Sequence, residues 1–252
     1  MIPLFKSHYS IGKSILTLTS PNQSNEGGPT SVFDISSKNN LREVILVEDS
    51  LVGLLEAKKQ AEELIFGLRL DVCEDMIIEA KKGCLMCVHK IIIFARNSDG
   101  CNLLNKIYST AFTKGAGKID FKSLKEFYNS NDLKICIPFY DSFIFHNSFS
   151  YKEPCMLDDS FFDPTYFIED NHLPFDFILQ EIIKNYCSSN GFETQKVKTI
   201  YYENRKDFEA YQTYKCICSR GFSNKAKTLD MPNLDHCASS EFCFESYLES
   251  IK

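Results

Sequence analysis

Short, uniformly apolar runs alternate along this chain with stretches whose apolar positions recur every third or fourth residue. Residues 41–47 (LREVILV) form an apolar run that stops at Glu48-Asp49 and reads as a strand. Leu51, Leu54, Leu55, Ala61, Leu64 and Ile65 follow at helical spacing and predict an amphipathic helix. GLRLDVC (67–73) and VHKIIIFA (88–95) predict two more strands, the second headed by His89 and followed by a turn-like Asn97-Ser98-Asp99-Gly100. A helix over 100–112 carries Leu103, Leu104 and Ile107 on one face, and LKICIPF (133–139) is again a strand. DFILQEIIKNYC (176–187) is helical, with Ile178, Ile182, Ile183 and Tyr186 directed one way, while VKTIYY (197–202) is a strand and KDFEAYQTYKCI (206–217) a helix. The polar stretch 18–30 reads as a surface loop, and 141–172 follows neither period. Alternation of this kind predicts an α/β fold of βα units around a mostly parallel sheet. No repeat or linker divides the chain, so a single domain over residues 1–252 is expected.

Composition narrows the class of function. At 252 residues, 44% hydrophobic and 25% charged, the chain has the make-up of a folded globular protein. Its net charge of −6 argues against a basic surface that coats nucleic acid, so direct nucleic-acid binding is expected to be weak or absent, with local basic patches left open. The amino terminus MIPLFKSHYS lacks the apolar core of a signal peptide, and no run approaches the ~18 apolar residues of a membrane span. A cytoplasmic location without membrane contact is the expectation. The eleven cysteines are odd in number and several lie in apolar segments, so they read as reduced, packed thiols.

The chemistry-bearing residues are few. Cys84-x-x-Cys87-x-His89 has the spacing of half a zinc site, but a structural zinc needs four ligands and no second Cys-x-x-Cys exists; Cys216-x-Cys218 and Cys237 would have to converge from afar. Gly-x-Gly-x-x-Gly, Walker and Gly-x-Ser-x-Gly motifs are absent from the sequence. His89 at the head of an apolar strand reads either as a metal ligand or as a hydrogen-bonded structural residue.

Three segments in order carry a family likeness: VILVEDSLVGLLEAKKQAEELIFGLRLDV, HKIIIFARNSDGCNLLNKIYSTAFTKG and RKDFEAYQTYKCI, closed by KTLDMPNLDHCASSEFCFES. Together they resemble the PHP (polymerase and histidinol phosphatase) domain, most closely the amino-terminal PHP domain of the bacterial DNA polymerase III alpha subunit. The resemblance implies a distorted seven-stranded (β/α) barrel with a metal cluster at the carboxyl ends of its strands. It also implies a structural role, in which the domain packs against a polymerase or docks a proofreading exonuclease. The expectation is a chain without the polymerase segments that follow this domain in that family.

Carried over position by position, the resemblance finds a depleted metal site. Leu4 and Lys6 stand where a His-x-His pair is expected before Tyr9-Ser10, with His8 offset by two residues, and Lys13 replaces an acid. Glu48-Asp49 falls on an Asp-His pair. Asp71 and His89 match an acidic and a histidine ligand, Phe139-Tyr140 stands where a cysteine or equivalent is expected, and Thr199-Ile200-Tyr201 replaces a final Asp-x-His. A lysine beside a cation site adds repulsion and offers no lone pair. His146, His172 and His236 read as surface or loop residues. The expectation is a stand-alone, catalytically inactive PHP-like replication accessory or scaffold protein without a cofactor. The alternatives are a zinc- or manganese-dependent phosphoesterase or 3′–5′ exonuclease using His8, Glu48, Asp49, Asp71 and His89, and an amino-terminal piece of a split polymerase. The expected partner is a replicative DNA polymerase or proofreading exonuclease. The ring-rich stretch 142–167, with Phe161 and Phe162, is either the surface that binds it or the filling of the barrel's end.

Overall fold

The computed structural model of the chain describes residues 1–20, 28–61, 63–77, 88–149, 155–218 and 239–252. In chain order its elements are β1 (Ile2–Phe5), α1 (Val32–Lys38), β2 (Val44–Glu48), α2 (Leu54–Gln60), β3 (Leu64–Cys73), β4 (His89–Ala95), α3 (Ser98–Lys114), β5 (Lys118–Asp120) and α4 (Phe121–Phe127). There follow β6 (Leu133–Ile137), α5 (Phe143–Phe149), β7 (Thr165–Ile168), α6 (Asp176–Asn190), β8 (Glu193–Ile200), a 3-10 turn (Arg205–Asp207), α7 (Phe208–Cys218) and α8 (Phe244–Ser250).

Hydrogen bonds order the strands β2-β1-β8-β7-β6-β4-β3-β5, and β2 also pairs with β3. Seven strands therefore form a closed ladder, with β5 attached outside it, which is the strand pairing of a β-barrel. The ladder is mixed. β1 pairs in parallel with β2 and β8, and β7 with β6 and β8, but β4 runs antiparallel to both β3 and β6.

The chain divides into two compact units, one of Met1–Phe66, Asp170–Asp176 and Val197–Lys252, the other of Gly67–Glu169 and Phe177–Lys196. In the first unit, Phe5, Leu46 and Ile200 come from three neighbouring strands and pack with Val32, Ile35 and Ala57 of the flanking helices. Phe244 of α8 stacks on Phe5 with ring centroids 5.8 Å apart. The Arg205 guanidinium fixes that helix by bonding the carboxylates of both Glu241 and Glu249, and it holds the Glu241 carboxyl down to about 2.

In the second unit, Ile91, Ile92 and Ile93 are all buried, because β4 is covered on both faces. A β-branched run suits a pleated strand, where one rotamer packs without helical crowding. Leu104, Ile107 and Ala111 of α3 are buried with Gly100, at the three- and four-residue spacing of a helix that rests one stripe on the core.

Several sequence expectations shift. Leu64 and Ile65 do not extend the helix before them. α2 stops at Gln60, Ala61 is extended, and Val44 donates to the Glu63 carbonyl, so the next residues join the sheet. Asn97 is not in a turn but caps α3, its side chain accepting from Gly100 N at 2.8 Å. In α6 the buried stripe is Leu179, Ile183 and Cys187, while Ile178 faces solvent. The stretch 141–172 contains α5 and β7. Among the described residues, no helix is long and apolar enough to cross a membrane.

The start of α3 is closely packed against backbone. A Cβ on Gly100 would sit 2.2 Å from the Asp132 carbonyl oxygen, which also accepts from Arg96 N. Gly100→Ala is expected to lower the unfolding free energy by about 1–3 kcal/mol in urea titration, through overpacking against backbone. The exposed neighbour Ser98→Ala should stay within ~0.5 kcal/mol of the parent. Equal effects of the two substitutions would contradict this packing.

Candidate functional site

Strand ends are where a barrel presents chemistry, because the residues just past each strand escape the ladder and face one another. In the first unit β1 and β2 are parallel neighbours, with Phe5 opposite Leu46, so Lys6 and Glu48 leave the sheet at the same end. Glu48 has no exposed surface, and its two carboxylate oxygens accept from Ser7 N (2.8 Å) and from the Ser10 hydroxyl in a short bond. That hydroxyl oxygen in turn accepts from Asp49 N at 3.0 Å and lies 3.4 Å from Lys6 Nζ. The Lys6 ammonium, itself 3% exposed, closes the cluster with an ion pair to Asp49 Oδ1 at 2.8 Å.

Burial raises the pKa of Glu48, while the Lys6 charge and the serine hydrogen bonds oppose the shift. Ser14 ties the same end to β8, its hydroxyl oxygen lying 2.6 Å from the Lys6 carbonyl and 2.8 Å from the Tyr201 carbonyl. Tyr201 fills the end of β8. Its ring stacks on those of Tyr211 (5.6 Å) and Phe242 (5.3 Å), where the PHP resemblance places a histidine.

His8 does not join this cluster. Its backbone N–H donates to Leu16 O at 2.8 Å, its ring lies against Tyr9, and its Nδ1 is buried without a hydrogen-bond partner among the described residues. Of the first unit's candidates, Glu48 and Asp49 come together, and what they converge on is Lys6 and Ser10.

In the second unit the antiparallel register of β3 and β4 sets Asp71 opposite Lys90 and Val72 opposite His89. Successive side chains of a strand point to opposite faces, and directly paired residues share one. Asp71 and His89 therefore lie on opposite faces of the sheet, and no common ligand set includes both. This corrects the pairing carried over from the family resemblance. A single residue of register separates the two arrangements.

Each of the pair has other partners. Asp71 Oδ1 holds Lys90 Nζ at 2.7 Å. On the same face, two residues back, the nearly buried Arg69 reaches Asp141 Oδ2 at 2.5 Å. Asp141 has φ 61°, a left-handed conformation that is uncommon outside glycine, and its carbonyl accepts from Lys90 N at 2.8 Å. His89 is 1% exposed, with Nε2 3.3 Å from the Met156 carbonyl and its ring near those of Phe121 and Phe143. Burial lowers its pKa to about 4, so the imidazole is neutral in the fold.

The remaining candidates scatter. Phe139 and Tyr140 are buried against each other, and His172 is exposed in a left-handed turn. Phe162 is buried at 8% exposure and Phe161 half-buried, both against Tyr128, so Phe162 belongs to the packing of its unit and not to an open surface. Cys216 is half-buried and Cys218 exposed near the end of α7. Cys84, Cys87, His236 and Cys237 lie outside the described residues. Among the described residues, no three His, Cys, Asp or Glu side chains are grouped to hold a metal ion.

Sequence reasoning missed Ser10, Arg69 and Asp141 as members of these clusters. Arg69 carried a signal. It interrupts the apolar run at a two-residue step from Asp71, which places two charges on one face of an otherwise buried strand.

Two outcomes follow. Lys6→Met leaves Asp49 and Glu48 without their ammonium and is expected to cost about 3 kcal/mol, the usual penalty for breaking a buried pair. A change within ~0.5 kcal/mol in urea titration would show that the cluster is not a structural tie. For His89, the unfolded imidazole at an ordinary 6.5 takes up a proton before the folded one at about 4. Its contribution is thus complete above pH 6.5 and lost as pH falls toward 4, by up to roughly 3 kcal/mol. The difference in unfolding free energy between the parent and His89→Gln should shrink by that order between pH 7 and pH 4, and a pH-independent difference would contradict the burial.

Compared with models of known protein families and with curated proteins, the chain matches none.

Proposed function

We propose that this chain is a catalytically inactive, PHP-like binding module that serves DNA replication as an accessory or scaffold for a replicative DNA polymerase or proofreading exonuclease. The observation that carries the inactive half of this reading is the provision of internal cations. Within the first unit Asp49 is paired with Lys6, and within the second Asp71 is paired with Lys90 and Asp141 with Arg69. A divalent cation at any of these carboxylates would have to displace or crowd an ammonium or guanidinium fixed at 2.8 Å or less. Repulsion at such separations opposes binding strongly where water is scarce. The partner class rests on the likeness of the four quoted segments to the PHP domain of replicative polymerases.

A metal-dependent phosphoesterase is the second reading, favoured by the convergence of Glu48 and Asp49 at one strand end. It needs His8 and His89 as well. His8 makes no bond to either acid, and His89 is turned away from Asp71. Multi-metal hydrolysis requires several ligands around adjacent ions with open positions for water and substrate.

The test has two arms. Protein purified without chelator and dialysed against manganese or zinc should hold far less than one metal per chain by elemental analysis. It should also show no metal-stimulated hydrolysis of single-stranded DNA or phosphate monoesters. Stoichiometric metal, with activity lost in Asp49→Ala and Asp71→Ala, would establish the second reading. Affinity purification from the native host should recover a polymerase or exonuclease subunit, and recovery of the chain alone in mild salt would count against the scaffold role.

A further inference from the structure

The overall charge of −6 conceals a local reversal. Residues 112–125, FTKGAGKIDFKSLK, contain four lysines and one acid. That acid, Asp120, is buried, and its carboxylate is engaged as the cap of α4, accepting from Ser123 N at 2.7 Å. Lys114, Lys122 and Lys125 are exposed and Lys118 is half-buried, on three elements (α3, β5 and α4) that pack on one another within the second unit.

Rings accompany the cations. Phe112 is 49% exposed and forms a pair with Tyr108, ring centroids 4.4 Å apart. Phe112 also lies along Gly117, whose Cβ would meet its ring edge at 3.7 Å. Lys125 Nζ stands 5.8 Å over the half-buried ring of Phe161.

The turn between Lys114 and Lys118 is tightly specified. The Ala111 carbonyl accepts from both Gly115 N and Gly117 N at 3.0 Å, and a Cβ on Gly115 would lie 2.0 Å from the Lys118 carbonyl oxygen. Ala116 is left-handed at φ 51°, a conformation that costs an alanine free energy. Lys122 sits in the first turn of α4, where the helix dipole favours an acid.

We propose that this segment binds single-stranded nucleic acid, with the exposed Lys114, Lys122 and Lys125 on the phosphates and Phe112 as a stacking platform for a base. Cations along a surface track the backbone, and exposed rings stack on bases of any sequence, a combination that recurs in single-strand binders. A duplex keeps its base faces internal and gives Phe112 nothing to stack on. This inference stands apart from the scaffold reading, since it uses neither the strand-end clusters nor a protein partner.

Fluorescence anisotropy with a labelled oligothymidylate of about 16 nucleotides at about 50 mM salt tests it. The full chain should bind, and more tightly than it binds a duplex of the same length. Lys114→Glu with Lys122→Glu should weaken binding at least tenfold and reduce the slope of log affinity against log salt by about 1.4, since two phosphates are no longer neutralised. Phe112→Ala should weaken binding about fivefold or more with the slope unchanged. Circular dichroism confirms that each variant is folded, and Lys114→Gln with Lys122→Gln replaces the reversal if that disturbs the fold. The proposal is overturned by no binding at low salt, by equal affinity for duplex with Phe112→Ala without effect, or by binding only to vesicles containing phosphatidylserine.

Discussion

A carboxylate taken out of water needs a cation or strong donors close by, and Glu48 is entirely out of water. The strand ends of the first unit are arranged around that requirement. Ser7 N and the Ser10 hydroxyl reach the two oxygens of Glu48, and Ser10 passes the network on to Asp49 N and Lys6 Nζ. Because Lys6 follows β1, Glu48 closes β2, and Ser14 reaches both Lys6 and the end of β8, one polar cluster sets how three adjacent strands finish. A buried ion pair of this kind adds little net stability over apolar packing, but leaving it half-made is costly, which fixes the geometry.

The same requirement accounts for the second unit's pairs. Arg69 lies inside a strand whose neighbours Leu68 and Leu70 are fully buried or nearly so, and Asp141 meets its charge there. Asp141 reaches that position by adopting a left-handed backbone, with its carbonyl held by Lys90 N. Strain held in place by surrounding bonds is characteristic of residues whose position matters more than their local comfort. Here the position serves charge balance.

Much of the fold was legible because burial repeats. The apolar runs at 41–47, 67–73, 88–95, 133–139 and 197–202 overlap β2, β3, β4, β6 and β8, since strands covered on both faces read as continuous apolar segments. β1, α1, β5, α4, β7 and α8 were not evident in their own residues, being too short for a period to emerge within them. The helix boundary at Gln60 was invisible because Leu64 and Ile65, the first residues of β3, continue a helical spacing by coincidence. The predominance of parallel pairs was legible, whereas the reversal of one strand was not. The antiparallel course of β4 depends on long-range pairing, which local pattern does not encode.

That unseen direction decided the candidate site. Read along the sequence, Asp71 and His89 look like two ligands at the junction of consecutive strands, and in position they are close. Register makes Asp71 the partner of Lys90 and His89 the partner of Val72. The acid then faces an ammonium, and the imidazole enters a cage of Phe121, Phe143 and the Met156 carbonyl. Residue identity at a strand end therefore specifies chemistry only once the face is known. Lys6 shows the complementary case. Its identity alone, a cation where a cation-binding ligand was expected, already carried the sign of the electrostatics, and the structure supplied the acids that it neutralises.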